Sequence, residues 1–365
     1  MRRIFAKGGQ AVIGEVDAPT LRRGEVLVRT TFSTVSAGTE MWILRKSAEG
    51  DARDEEYPGD TPWVDPGIRA GILHAEKPRR PVPGHISLGY SLAGVVEAVS
   101  PEVTDLAPGD RVACMGSQCA HHAEIVAVPR NLTVPVPTGL GLESAAFVTL
   151  AAIAEEALRR CSIAFGETVV LYGLGLLGLL AGQIANAAGY YVIGLDIDPR
   201  RLDQAKAFGI PDVHDPRTVD PVALVRSRTS GFGADAVVLG IVNESSEPTN
   251  LSLQMTRQHG KVVGLGLFGL DVQREFLSDR MLMRSIAYGP GRYDPEYEEA
   301  SVDYPIGIMR WTENRNAQHV LRLMTEGKLS IAGLATQFPL GKAPDGYALL
   351  HTPQRPPTIQ FVYGD

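Results

Sequence analysis

The 365-residue chain is long enough for two domains with sizeable cores, and its 44% hydrophobic and 21% charged residues are typical of a soluble globular protein. A formal net charge of −7 argues against a broad nucleic-acid-binding face. Cys114, Cys119 and Cys161 are too few for a disulfide framework and suit a reducing compartment. After the Met1-Arg2-Arg3 start, Lys7, Gly8, Gly9 and Gln10 leave no apolar core for a signal peptide, so none is expected and the cytoplasm is the expected location.

The chain to about residue 134 is rich in short strand patterns separated by turns. Strands are predicted at Gln10–Glu15, Glu25–Phe32, Tyr90–Val99 and Arg111–Ala113. Residues 47–83 have no clean period and carry several acidic residues and prolines. So long an irregular stretch predicts either a lid over a site or a loosely ordered loop.

From about residue 138 the pattern changes to alternating helices and strands. Helices are predicted at Glu143–Arg160 and Asn316–Glu326, and strands at Val169–Tyr172, Tyr191–Asp196, Ala236–Leu239, Lys261–Leu265 and Thr358–Val362. The alternation predicts an α/β fold with a doubly wound parallel sheet of the Rossmann type over residues 138–300. Strand-rich segments on both sides suggest a catalytic domain built from residues 1–137 and 301–365.

A glycine fingerprint lies between the first predicted strand of this sheet and the helix after it. Gly173 makes the tight turn, Gly175 lets the backbone approach a pyrophosphate, and Gly178 lets the helix pack closely on the strand. Asp196 follows Gly178 by 18 residues, at the end of the second strand, where its carboxylate can bind the adenosine ribose. The predicted contacts of NAD are Gly173, Gly175, Leu176, Leu177, Gly178, Asp196 and Arg201, with NADP less favoured.

Two other interpretations of this segment stay open. Residues 168–195 carry no charge, and Gly178 and Gly182 form a GxxxG pair, as a membrane helix would. The three glycines weaken a continuous helix, and Gln183 adds a polar cost, so a buried strand and helix are favoured. The unit could also bind another ligand or none.

Several landmarks along the chain occur in an order and spacing that are typical of one family. They are Gly38-Thr39-Glu40, Pro83-Gly84-His85, Gly94-Val95-Val96, Pro108-Gly109-Asp110-Arg111-Val112, His122-Ala123-Glu124 and the glycine fingerprint. On these motifs the whole chain resembles the medium-chain dehydrogenase/reductase superfamily, the alcohol and sorbitol dehydrogenase group. The run from Tyr288 to Glu313 resembles a narrower branch of sugar and cyclitol dehydrogenase modules. The resemblance implies a strand-rich GroES-like catalytic domain, a Rossmann domain, and a homodimer or homotetramer.

The departures from that family concern zinc. Where zinc members have a Cys ligand this chain has Ala37, and the third ligand position aligns with Thr149. His85 keeps the second position, but Ile86 replaces the Glu that follows it. Since catalytic zinc needs three protein ligands, one histidine should not hold it, and no zinc is expected. Three cysteines also exclude the four-cysteine structural zinc lobe of the family.

A second possible metal motif is the spacing Cys114, Cys119, His121, His122. It is not a recognised ligand set. Neighbouring residues of a strand point to opposite faces, which predicts one buried and one exposed histidine here rather than a metal site.

Without a metal, the substrate oxygen must be polarised by a side-chain donor or by the proton donor itself. His85 is the best candidate for the general acid/base, because imidazole titrates near neutral pH, with a purely structural role as the alternative. Thr39 matches the hydroxyl that begins the proton relay in the related zinc enzymes, with a helix cap as the alternative. Glu40 could orient His85 or bind a substrate hydroxyl, unless it is only an N-terminal helix charge.

Further candidates would line the substrate and the nicotinamide. Ser36, Tyr90, Arg292 and Tyr293 are candidate substrate contacts, since polyols and sugars need many hydrogen-bonding groups. A core role for Tyr90 and a rigid loop or dimer contact at 292–294 are the alternatives. Thr149 is expected on the nicotinamide side by alignment.

The sequence therefore predicts a zinc-independent, NAD(H)-linked oxidoreductase that interconverts a secondary alcohol and a ketone on a polyol, cyclitol or sugar derivative. Its partner is a small molecule, and neither nucleic acid nor a membrane is expected. One alternative is a zinc-free reductase of quinones or enones, which would show an apolar slot. The other is a non-catalytic dinucleotide-binding protein with a closed cleft.

Overall fold

The structure, a computed structural model, describes residues 1–48, 86–241, 245–266, 268–285 and 287–364. The candidate acid/base His85 and nearly all of the predicted lid lie outside these residues. The chain divides into two compact units. The first, called the catalytic unit below, comprises Met1–Leu150, Pro290–Thr325 and Ile331–Asp365, and the second, the nucleotide unit, comprises Ala151–Gly289 and Glu326–Ser330.

Sixteen strands occur in the described residues. They are β1 Arg2–Lys7, β2 Gln10–Glu15, β3 Glu25–Thr34, β4 Ile86–Ser87, β5 Ser91–Val99, β6 Arg111–Met115, β7 Ile125–Pro129, β8 Thr133–Pro135, β9 Thr168–Tyr172, β10 Tyr191–Leu195, β11 Val213–His214, β12 Ala234–Leu239, β13 Thr256–Leu265, β14 Met281–Ser285, β15 Ala335–Pro339 and β16 Thr358–Val362.

Eleven α-helices are described, with two short 3₁₀ turns at Arg130–Leu132 and Leu340–Lys342. The helices are α1 Ala37–Ala48, α2 Leu142–Ala145, α3 Val148–Cys161, α4 Leu176–Ala187, α5 Pro199–Ala207, α6 Pro221–Arg228, α7 Glu247–Met255, α8 Arg274–Leu277, α9 Pro295–Glu298, α10 Glu313–Thr325 and α11 Ala343–Leu350.

The catalytic unit is built on two sheets. The larger has the strand order β15-β16-β3-β5-β6-β8, and β7 pairs with β3; the smaller has the order β2-β1-β4. Strand β16 comes from the C-terminal part of the chain and pairs antiparallel with β3, with Phe361 opposite Ser33. Helices α1 and α11 pack with these strands around buried Leu44, Tyr347 and Phe361. Both ends of the chain therefore contribute to one core.

The nucleotide unit is a six-stranded, fully parallel sheet with the order β11-β10-β9-β12-β13-β14. Strands β9 and β10 are almost entirely apolar, as expected where helices cover both faces of a parallel sheet. Val170, Ile193 and Val237 from three adjacent strands are almost completely buried in its core. The strand order reverses between β9 and β12, and ligands of open α/β sheets bind at such a switch point. The predicted Rossmann fold class is confirmed.

Some local predictions differ from the structure. The single helix predicted at Glu143–Arg160 is two helices, since α2 ends at Ala145 and α3 begins at Val148. The uncharged segment 168–195 is strand, helix and strand, and within the described ranges no helix is long and apolar enough to cross a membrane.

The prediction of one buried and one exposed histidine is wrong, because His121 is 7% exposed and His122 is 0% exposed. The two residues lie in the loop between β6 and β7, so the alternation of a strand does not apply to them.

Candidate functional site

The glycine loop between β9 and α4 has the geometry that a dinucleotide pyrophosphate requires. Gly173 has a φ of +109°, which makes the tight turn. A Cβ on Gly178 would collide with the main-chain oxygen of Gly173, so only glycine lets the helix pack this closely. A Cβ on Gly175 would meet no atom within 4 Å, which leaves open space where the backbone must approach a ligand. Each glycine thus has the surroundings that its predicted role demands.

The start of α4 provides the charge complement to that open space. Gly175 is the N-cap residue and offers no side chain to the helix N-terminus, so the amides of the first turn, which includes Leu176 and Leu177, lack a side-chain cap. Such amides and the helix dipole favour a bound anion. The residues present therefore fit a dinucleotide.

Asp196 lies at the end of β10, beside the glycine loop, and is 5% exposed. Its Oδ2 accepts a hydrogen bond of 2.7 Å from the amide of Leu174, and its Oδ1 accepts one of 2.9 Å from the amide of Asp198. The Nη1 of Arg201 lies 3.3 Å from Oδ2. The amides of Leu174 and Asp198 thus orient the carboxylate, and Arg201 offsets part of its charge.

Three hydroxyl groups meet in the catalytic unit where α1 begins. Ser36 precedes α1, Thr39 lies in its first turn, and Tyr90 stands directly before β5. The Oγ of Ser36 donates toward Thr39 Oγ1 over 3.4 Å, and Thr39 Oγ1 lies 3.5 Å from the hydroxyl of Tyr90. The structure therefore brings together three of the residues predicted for catalysis and substrate binding.

The electrostatics of this cluster keep Tyr90 neutral. Burial raises the pKa of Tyr90 to about 12, although hydrogen bonds with Ser36 and Thr39 lower it in part. The charge of Glu40 and the nearby Tyr293 raise the pKa of Tyr90 further. A phenol with this pKa stays protonated at neutral pH and is a hydrogen-bond donor.

Thr149 forms a hydrogen bond with the main chain of Tyr90. Its side chain is fully buried, and its Oγ1 donates a 2.8 Å hydrogen bond to the main-chain oxygen of Tyr90. Its amide donates to Ser91 Oγ over 3.1 Å. The hydroxyl and the amide of Thr149 therefore hold Tyr90 and Ser91 in place at the start of β5.

Glu40 is fully buried beneath the hydroxyl cluster. Its Oε1 accepts a 2.8 Å hydrogen bond from the amide of Ser36, which caps the start of α1. Its Oε2 accepts a hydrogen bond from the hydroxyl of Tyr347 and lies 3.0 Å from Nε2 of His122. Both carboxylate oxygens are thus engaged inside the protein.

Arg292 and Tyr293 lie next to each other, but their side chains have different surroundings. The guanidinium of Arg292 is 8% exposed and forms a 2.5 Å ion pair with Glu298. It also donates to Ser117 Oγ over 2.6 Å and to Gln118 Oε1 over 3.1 Å. The same guanidinium lies 4.1 Å from the ring centroid of Tyr293. Arg292 is therefore occupied by the protein and supports the Tyr293 ring.

Tyr293 has a φ of +69°, a left-handed conformation that is rare for an aromatic residue. Such a backbone costs roughly 1–3 kcal/mol and persists only where the surroundings impose it. Arg292 packs on the ring of this residue, which lies near enough to Tyr90 to affect the pKa of that phenol.

The donor set of this cluster does not suit zinc. Ser36, Thr39 and Tyr90 present neutral hydroxyls, whereas zinc selects thiolate, imidazole and carboxylate ligands. In the part of the chain that the structure describes, no group of three or more His, Cys, Asp or Glu side chains is placed to hold a metal ion.

Sequence reasoning did not find the partners of Glu40 and Arg292. His122 appeared in a family landmark and in a rejected metal motif but was given no partner, and nothing singled out Tyr347, which is 307 residues from Glu40 in the chain. Ser117 and Gln118 carried no signal either. A buried carboxylate at the start of a helix does require donors, and that requirement is the signal that could have prompted the search.

Two family descriptions match most of the chain. "Alcohol dehydrogenase GroES-like domain" matches residues 22–159, and "Zinc-binding dehydrogenase" matches residues 177–301. The first match covers the hydroxyl cluster, and the second covers most of the nucleotide unit.

Curated relatives agree with these matches. A sorbitol dehydrogenase of Halalkalibacterium halodurans is 28% identical over 252 residues, which is 60% of this chain and 72% of the relative. An NAD-dependent alcohol dehydrogenase of Sulfurisphaera tokodaii is 30% identical over 217 residues, which is 52% of this chain and 62% of the relative.

Solved structures share the fold over the full length. The alcohol dehydrogenase TADH from Thermus sp. ATN1 superposes with a TM-score of 0.73 at 22% identity, covering 99% of both chains. A quinone oxidoreductase of Pseudomonas syringae pv. Tomato DC3000 gives 0.70 at 21% identity, also covering 99% of both chains. At these identities the likeness shows the fold alone.

Proposed function

Since the chain belongs to the medium-chain dehydrogenase/reductase superfamily and is a dehydrogenase acting on CH–OH groups, we propose that it interconverts a secondary alcohol and a ketone with NAD(H) and without zinc. The proposed substrate is a polyol, cyclitol or sugar derivative. The single observation that carries the proposal is the meeting of the Ser36, Thr39 and Tyr90 hydroxyls at the start of α1.

The hydroxyl cluster supplies the polarising group that the reaction needs. Because Tyr90 stays protonated at neutral pH, its hydroxyl donates a hydrogen bond to the substrate oxygen. Thr39 and Ser36 orient that hydroxyl and add further bonds to a polyhydroxylated substrate. Acceptance of the substrate proton requires a group that titrates near neutrality, and His85 remains the predicted acid/base for that step.

The nucleotide unit holds the cofactor in this proposal. When bound, NAD supplies the nicotinamide that takes the hydride. The open space at Gly175 and the free amides of α4 bind its pyrophosphate, and Asp196 binds the adenosine ribose. An NAD-dependent alcohol dehydrogenase among the relatives supports this choice of cofactor.

The substrate class rests on two supports. Hydroxyl groups of the site match the hydroxyls of a polyol, whereas a quinone or enone reductase would present an apolar slot. The sorbitol dehydrogenase relative acts, by its name, on a polyol. A cytoplasmic location and a homodimer or homotetramer are part of the proposal, and the three free, buried cysteines suit the first of these.

The test is a substrate panel combined with two matched variants. Sorbitol, 2,3-butanediol, galactitol 1-phosphate, myo-inositol and a quinone are incubated with NAD or NADH, and the absorbance of reduced nicotinamide is followed. Tyr90→Phe keeps the ring and removes the hydroxyl, so it should lower turnover by about 10²- to 10³-fold while NAD affinity is unchanged. Thr39→Val should lower turnover as well, and His85→Asn tests the predicted base. Tyr190→Phe, which removes a hydroxyl bonded to a main-chain oxygen in the nucleotide unit, is the control.

Turnover of the quinone alone would refute the alcohol assignment. Full activity of Tyr90→Phe on an accepted alcohol would show that the hydroxyl cluster is not the polarising group.

A further inference from the structure

A chain of hydrogen bonds runs through the core of the catalytic unit beneath the hydroxyl cluster. His122 Nε2 lies 3.0 Å from Glu40 Oε2, and His122 Nδ1 lies 2.8 Å from Ser33 Oγ. Ser33 Oγ in turn lies 2.8 Å from the hydroxyl of Tyr363. Tyr347 donates to the same oxygen of Glu40. Glu40, His122 and Ser33 are each 0% exposed, so no water substitutes for these partners at the surface.

The groups of this chain are matched partners. The hydroxyl of Tyr347 donates to Glu40 Oε2, and Nε2 of His122 lies within hydrogen-bond distance of the same oxygen. The other ring nitrogen of His122 contacts the Ser33 hydroxyl, which in turn contacts the hydroxyl of Tyr363. Each polar side chain of the chain therefore has a hydrogen-bonding partner inside the core.

Glu40 also forms hydrogen bonds with the first turn of α1. Glu40 Oε1 accepts from the amide of Ser36, while the amide of Glu40 donates to the oxygen of Ser36 over 2.9 Å. Ser36 and Glu40 are therefore joined by two hydrogen bonds across one helical turn, and Thr39 lies within that turn. The orientation of the Ser36 and Thr39 hydroxyls depends on where Glu40 is held.

We propose that His122 and Tyr347 are positioning residues for the dehydrogenase reaction, which hold Glu40 and through it the Ser36–Thr39 turn against Tyr90. Neither residue touches the substrate. The inference rests on the proposed role of Thr39 and Tyr90 in catalysis. Small misplacements of a reacting group reduce rates by up to about 100-fold, so a buried network of this kind has a kinetic effect well beyond its effect on folding.

Three variants separate this role from packing. Tyr347→Phe keeps the ring and removes only the donor. In His122→Asn the shorter amide replaces Nδ1 and keeps the Ser33 contact, whereas in His122→Gln the longer amide reaches the position of Nε2 and can donate to Glu40. On the alcohol that the wild-type protein oxidises best, Tyr347→Phe and His122→Asn should lower kcat by about 10-fold or more. His122→Gln should recover most of the loss, and the Kd of NAD should stay unchanged in all three.

A double-variant cycle with Thr39→Val identifies the route of the effect. If His122 acts through Thr39, His122→Asn should cause little further loss of kcat once Thr39→Val is present. Tyr190→Phe, which loses a hydroxyl in the other unit, should leave kcat unchanged. A purely structural role would instead lower the melting temperature and leave kcat of the folded protein at the wild-type value.

The outcomes of the two proposals are distinct. If Thr39→Val and Tyr90→Phe are fully active, the proposed function of the hydroxyl cluster fails. If those two lose activity but Tyr347→Phe and His122→Asn keep wild-type kcat, or if their losses add fully to that of Thr39→Val, only the positioning role is overturned. Should a His122 variant fail to fold, Tyr347→Phe, whose ring still packs on Phe361, decides the question.

Discussion

Glu313 should make the stability of the catalytic unit depend on pH. Its carboxyl group is 0% exposed, and neither oxygen has a hydrogen-bond partner among the residues that the structure describes. Burial raises the pKa of Glu313 well above the ordinary value of 4.5; the Glu298 carboxylate raises it further, and Arg292 lowers it. The buried group is therefore protonated in the folded protein at pH values where it ionises in the unfolded chain.

The sign and size of the effect follow from proton linkage. The folded state binds more protons than the unfolded state between the two pKa values, so stability contributed by the neutral acid is complete below about pH 4.5. This contribution to the free energy of unfolding is lost as pH rises from about 4.5 through the folded-state pKa of Glu313. The loss is up to about 1.4 kcal/mol for each pH unit between the two pKa values. Glu313→Gln has a similar shape and does not ionise. The variant should match the wild-type protein within about 1 kcal/mol near pH 5 and become the more stable protein toward pH 8.

Urea unfolding of both proteins at several pH values between 5 and 8 measures this difference. The nucleotide unit contains no tryptophan, whereas Trp42 and Trp311 belong to the catalytic unit, so tryptophan emission reports the relevant unit. Glu298→Gln is a second comparison, because it removes a charge that raises the pKa of Glu313. Breaking the buried Arg292–Glu298 ion pair should destabilise the protein by about 3–5 kcal/mol, and the fall in stability attributed to Glu313 should end at a lower pH than in the wild-type protein. Parallel stability curves for the wild-type protein and Glu313→Gln would refute the reasoning.

Two further predictions concern zinc and the cofactor. Because Ala37 and Thr149 replace zinc ligands, the purified protein should carry no stoichiometric zinc and keep its activity with a chelator, and about one tightly held zinc per chain by elemental analysis would contradict this. NAD should bind roughly 10- to 100-fold more tightly than NADP, because the 2′-phosphate of NADP would lie near the Asp196 carboxylate. Two unit charges about 4 Å apart repel by roughly 4 kcal/mol at a dielectric near 20, and Arg201 offsets part of this repulsion. Arg201→Ala should widen that preference in calorimetry, and equal or tighter binding of NADP by the wild-type protein would show that the arginine dominates.

The sequence alone determined the fold class and the nucleotide-binding loop of this protein. Periodicity identified four of the six strands of the parallel sheet, β9, β10, β12 and β13, but not β11 or β14, and β16 has the predicted bounds Thr358–Val362. The tight turn at Gly173 and the close helix packing at Gly178 could be predicted because they depend on local backbone geometry, which the residue type itself limits. Thr39 was a candidate through the Gly38-Thr39-Glu40 motif of the family, and Ser36 and Tyr90 were candidates as hydrogen-bonding groups for the substrate.

Only the tertiary structure decided which groups these side chains meet. A residue type states what a side chain can bond to, but its partner depends on how distant segments pack, and no local pattern records this. Glu40 receives its donors from residues 82 and 307 positions away, and Arg292 is occupied by residues 174 and 175 positions away. The same reason explains why His121, His122 and Glu313 are buried. Burial is a property of the assembled core, and the local sequence around a residue does not determine it.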